Sequence, residues 1–117
     1  MLIYEVNLEV DEEVKFSVAG WLTEHIQKML DFKGFKVAYW FFRQPEDEGL
    51  DATTKTLWTI QYVVESRASV DDFISHSAEG IRKEMTEKFG DKYKYSRRVL
   101  HLLSVAGLPV EGNSQAP

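Results

Sequence analysis

Cysteine is absent from these 117 residues. That excludes disulfides, iron–sulfur clusters and thiolate zinc sites, and leaves the redox compartment open. Positive charge is scarce: 14 Lys and Arg stand against 19 Asp and Glu, for a formal net charge of −5. An acidic balance argues against nucleic acid or an anionic membrane as partner, since both interactions draw on a basic patch. No run approaches the ~18 consecutive apolar residues of a membrane-spanning helix. The opening Met1-Leu2-Ile3-Tyr4-Glu5 is strand-like rather than a basic then apolar leader, so a cytoplasmic location is expected. The histidines, His25, His76 and His101, form no His-x-x-x-His or carboxylate cluster at metal spacing, and no Gly-rich phosphate loop occurs. Neither a metal nor a cofactor is expected.

What is present is an ordinary globular composition, 44% hydrophobic. The length predicts one domain that buries roughly two-thirds of its unfolded surface. We place that domain over residues 1–103 and read 104–117, rich in Gly, Pro, Asn and Ser, as a loosely held tail.

Leu2 to Val10 alternates strictly, with Leu2, Tyr4, Val6, Leu8 and Val10 on one face and Ile3, Glu5, Asn7 and Glu9 on the other. This is a strand with one dry face. Asp11-Glu12-Glu13 suits a helix N-terminus, and apolar residues from Val14 to Leu30 at helical spacing predict a first helix over 12–32, stopped by Gly34. Strands follow at 35–44 and 57–65 around an acidic loop, Pro45 to Thr54. Ser69-Val70-Asp71-Asp72 is a capping-box variant, and Val70, Phe73, Ile74, Ser77, Ala78, Ile81, Met85 and Phe89 predict a second helix ending near Gly90. Tyr93 to Leu103 is the fourth strand.

The order βαββαβ predicts an α+β, ferredoxin-like sandwich: a four-stranded antiparallel sheet with both helices on one face and the first and third strands central. An RNA-recognition motif shares that order, but Lys55 to Tyr62 lacks its glycines. Strands two and three are apolar in both parities, Leu57 to Glu65 most of all. The sheet face opposite the helices therefore needs a cover. A second copy of the chain, as an isologous dimer, supplies one. The tail, through Val105, Leu108 and Val110, supplies another.

Alternation places Glu5, Asn7, Glu9, Thr59, Gln61, Arg97 and His101 on that second face; a one-residue shift exchanges Arg97 for Arg98. Convergent polar groups in an apolar setting describe either a small-molecule site or a satisfied interface. His25 lies within the apolar stripe of the first helix beside Trp21 and Met29, where packing and a ligand role both remain open. His76 lies off the apolar face of its helix.

Taken in order, several stretches resemble a small family of uncharacterised bacterial proteins, a domain of unknown function grouped with ferredoxin-like, dimeric α+β barrels. They are Leu2-Ile3-Tyr4-Glu5-Val6, His25-Ile26, Gln61-Tyr62, Glu65-Ser66, His76-Ser77-Ala78, Ile81-Arg82, Lys88-Phe89-Gly90, and Arg97 followed by Leu100. The sequence departs at Gln27, where the family usually carries proline. The resemblance implies the fold and a homodimer, and no established reaction. Related dimeric barrels include antibiotic-biosynthesis-type monooxygenases and haem-degrading enzymes, for which Asn7, Trp58 and His76 would match by element. Three expectations follow: a homodimeric barrel binding a small, partly apolar molecule near Glu5, Asn7, His25, Gln61, Arg97 and His101; a monooxygenase-like or haem-degrading enzyme using the same cavity; and a purely structural dimer.

Overall fold

A computed structural model describes residues 1–51 and 54–107. Leu108 and Val110, and with them most of the tail, lie outside the described residues. Val105, which the folded-back tail would have used as cover, is exposed.

Strand β1 is Leu2–Asp11, and its alternation is realised: Leu2, Tyr4, Leu8 and Val10 are buried. A 3-10 turn, Glu12–Val14, leads into α1, Lys15–Met29, which buries Val18, Leu22, Ile26 and Met29. Gly34 then turns the chain with φ +87°, and a Cβ there would collide with the Ser69 side chain. Both the dihedral and that close approach require glycine.

β2 is Phe35–Arg43, followed by a 3-10 turn, Pro45–Glu48, and β3, Lys55–Val64. The second helix has three segments: α2, Arg67–Phe73; a π-helical turn, Ile74–Ala78; and α3, Glu79–Phe89. Its cap is Ser66, whose hydroxyl accepts from the Ser69 amide at 3.3 Å, so the helix starts a turn earlier than the Ser69 capping box implies. β4 is Tyr93–His101.

The four strands lie in the order β2-β3-β1-β4, every neighbouring pair antiparallel, with β1 and β3 central. This α+β arrangement is consistent with a ferredoxin-like fold. One parity of β1 and β3 meets the helices. Tyr4, Leu8, Trp58, Ile60, Tyr62 and Val64 share a core with Leu22 and Met29 of α1, Phe73 of α2 and Met85 and Phe89 of α3. The other parity, with Glu5, Asn7, Thr59 and Gln61, forms the opposite face, over which no described element is layered.

The register of β4 corrects the alternation inferred from sequence. Arg97 pairs with Val6 and His101 with Leu2, so both belong to the helix-side parity; Arg98, opposite Glu5, takes the open face. β4 is an edge strand with apolar residues in both parities, so its own pattern is degenerate and the hydrogen-bond ladder decides.

Candidate functional site

The open face carries one continuous polar row across all four strands. Glu5 Oε2 accepts from Arg98 Nε at 2.6 Å and from Asn7 Nδ2 at 3.0 Å, and Glu5 Oε1 accepts from Gln61 Nε2 at 2.9 Å. Asn7 Oδ1 accepts from Thr59 Oγ1 at 2.6 Å and from Arg43 Nη1 at 3.3 Å. Arg43 grips Glu48 with two bonds, Nε at 2.7 Å and Nη2 at 3.3 Å. Direct cross-strand pairing of Glu5 with Gln61 and of Asn7 with Thr59 builds the row, since such partners have neighbouring Cβ atoms.

Glu5 is only 3% exposed although this face has no covering layer in one chain. Burial would raise its carboxyl pKa; the bonds from Arg98, Asn7 and Gln61 overcome that and hold it below the usual range. The central carboxylate is therefore charged and fully partnered. Around the row stand exposed apolar residues, Tyr39 at 51% and Phe41 at 45%, with Val37 and Leu100 beyond.

On the other side of the sheet two polar groups, the Tyr62 hydroxyl and the His25 ring, have no partner among the described residues, while Trp21 Nε1 donates to Glu84 at 2.9 Å. A cavity of about 70 Å³ lies between the helices and the sheet, walled by residues that include Tyr4, Leu22, His25, Ile60, Tyr62 and Phe73. Tyr62 is 2% exposed, and none of the described residues hydrogen-bonds to its hydroxyl; burial and the neighbouring Tyr4 push its pKa up. His25 stacks on Trp21 with centroids 4.6 Å apart, and its ring nitrogens likewise have no partner among the described residues. Burial lowers its pKa to about 4, against the pull of Glu84 and helped by Lys28. His25 is neutral near pH 7. Arg97 Nη1 reaches the Tyr4 hydroxyl at 3.5 Å.

The sheet thus divides the residues expected to share one site. Glu5, Asn7 and Gln61 come together on the open face; His25 and Arg97 belong to the cavity on the opposite side. His101 is exposed at the end of β4, near the chain's first residues. Arg98, the alternative that a one-residue shift allowed, completes the polar row together with Arg43 and Glu48, which sequence reasoning missed. Extending the open-face parity of Tyr39 and Phe41 by two residues reaches Arg43; nothing local marks Glu48. Asn7 and Trp58 lie on opposite faces, and His76 sits exposed on the π-helical turn against Asp72, so the Asn–Trp–His set is not gathered.

Fold and site together define an α+β protein, consistent with a ferredoxin-like fold, with a self-satisfied polar row on one sheet face and a partly open cavity behind the other. The chain belongs to the family described as domain of unknown function DUF4286, which it matches over residues 1–103. Among curated proteins, none is significantly similar in sequence. Two solved structures share the fold. One is the de novo designed protein Foldit4, with TM-score 0.54, 10% identity and coverage of 87% of this chain and 98% of that one. The other is the crystal structure of a protein of unknown function from Nitrosomonas europaea, with TM-score 0.54, 12% identity and coverage of 91% and 94%. At these identities the likeness concerns the fold alone. No helix among the described residues is long and apolar enough to cross a membrane.

Proposed function

We propose that this protein is a homodimeric small-molecule-binding module whose two sheet faces have different work. The open face joins a second copy, and the helix–sheet cavity holds a small, partly apolar molecule. The observation that carries this is the contrast in hydrogen bonding. Polar groups of the open face partner one another, as a buried interface demands, while the Tyr62 hydroxyl and His25 at the cavity lack partners among the described residues.

A two-fold contact sets a surface against itself, so a face with net charge of one sign would repel its copy. Here the carboxylates of Glu5 and Glu48 are matched by the guanidiniums of Arg98 and Arg43. The row is charge-balanced, and the apolar rim of Tyr39, Phe41 and Leu100 supplies area to bury. On this reading the row fixes the register of the two sheets.

Light scattering is expected to give twice the 13.5 kDa of one chain. Phe41→Glu, which puts an unpaired charge into the apolar rim of the proposed contact, is expected to yield a folded monomer. A wild-type monomer would end the dimer reading. For the cavity, Tyr62→Phe removes a buried hydroxyl with no partner among the described residues, so stability without ligand is expected to hold within about 0.5 kcal/mol or to rise. A loss of more than about 1 kcal/mol would show that the hydroxyl is bonded and the cavity wall already satisfied.

A further inference from the structure

The sequence has arginine at positions 43, 67, 82, 97 and 98. Arg43, Arg67 and Arg98 each pair with a carboxylate, Glu48, Asp71 and Glu5 respectively. Arg82 and Arg97 have no carboxylate partner among the described residues, in a chain with an excess of acid, and both line the helix–sheet cavity. They reach it from opposite sides, Arg82 from α3 and Arg97 from β4. Each is held there by a phenol that also lines it, Arg82 by Tyr95 at 3.3 Å and Arg97 by Tyr4 at 3.5 Å. Both arginines are exposed, so they stand at the cavity mouth, and the interior is mostly apolar, with Leu22, Ile60, Phe73 and Met85 around the Tyr62 hydroxyl and His25.

We propose that this cavity binds a short-chain aliphatic monocarboxylate, its alkyl body inside and its carboxylate between Arg82 and Arg97. The proposal rests on the cavity being the binding site and adds the chemical class. The anion follows from two guanidiniums without carboxylate partners, the groups best suited to a planar carboxylate. The size follows from the volume: 70 Å³ holds more than one water but is smaller than the ~150 Å³ cavity that admits benzene. A branched alkyl group of a few carbons matches that volume more closely than an aromatic ring. A separate feature points to the same place. Ala78 of the cavity wall belongs to the π-helical turn, a rare helix irregularity found frequently at functional sites.

The test is an NMR titration of the full-length protein with isobutyrate, isobutyramide, benzoate and inorganic phosphate, following the indole N–H of Trp21, which lines the cavity. Isobutyrate is expected to shift that resonance saturably, with the other three roughly tenfold weaker or worse. Arg82→Met and Arg97→Met are each expected to weaken isobutyrate roughly tenfold while leaving isobutyramide unchanged. Both arginines are exposed, so an unchanged amide spectrum elsewhere verifies the fold of either variant. Amide binding as tight as acid would overturn the proposed class and leave the cavity as a binding site. Phosphate or benzoate matching isobutyrate would overturn it as well, the first showing a mere anion patch and the second a larger pocket. Silence from every probe would sink both the class and the cavity's role.

Discussion

Replacing Phe73 by alanine is expected to lower the unfolding free energy by about 3–5 kcal/mol, a large part of the ~5–15 kcal/mol that holds a domain of this size. Phe73 is 4% exposed and joins the second helix to the sheet. Its ring meets Phe32 at 5.0 Å and Tyr4 at 5.6 Å edge-on, and lies tilted against Phe35 at 5.5 Å. Truncation removes three aromatic contacts at once and leaves a void beside an existing cavity, where the wall has little freedom to collapse. Urea unfolding measures the change. Phe42→Ala, at an exposed ring on edge strand β2, serves as the control and is expected to stay within about 0.5 kcal/mol in the monomer. A loss at Phe73 below about 1 kcal/mol would contradict the layered core described here.

Acidification is expected to weaken the protein before its carboxylates titrate. Unfolded, the His25 imidazole takes a proton near 6.5; folded, burial delays this to about 4. Between those values the unfolded chain holds the extra proton, so stability rises with pH there. The contribution is complete above pH 6.5 and is lost as pH falls toward 4. The shift corresponds to roughly 2–3 kcal/mol at full extent, reduced because the ring is only partly buried. Glu5 has the same sign but acts lower: its folded pKa is depressed, so its contribution is present above the unfolded value of about 4.5 and is lost as pH falls through the folded one. His25→Phe keeps a ring against Trp21 and removes the titration. Denaturant midpoints measured from pH 7 to pH 5 should fall in the wild type and stay nearly level in this variant. Equal slopes would show that His25 is protonated in the folded state.

The two faces of the sheet were legible to different degrees. On β1 every helix-side residue is apolar and the open side carries Glu5, Asn7 and Glu9, so parity could be read directly. Gln61 and Thr59 stand on the face where alternation put them, but the β1–β3 register alone decided that Glu5 pairs with Gln61 and Asn7 with Thr59. Arg97 and Arg98 are adjacent, on a strand whose flanking residues fit either face. One residue of register decides which of them touches Glu5, and register is a property of the pair of strands. The π-helical turn was invisible for a related reason. Phe73, Ile74, Ser77, Ala78 and Ile81 fit an unbroken α-helix equally well, so their spacing does not record the wider turn over Ile74–Ala78.

Composition and periodicity by themselves determined the element order and the central position of β1 and β3. Those properties depend on spacing along one chain, which sequence records. Tertiary structure alone decided that the polar residues form two sets rather than one. Glu5, Asn7 and Gln61 are joined to Arg98 and Arg43 on one face, while His25, Tyr62, Arg82 and Arg97 surround a cavity behind the other. The physical reason is that a strand sends neighbouring side chains to opposite faces, so residues adjacent in sequence, such as Arg97 and Arg98, end up with separate roles.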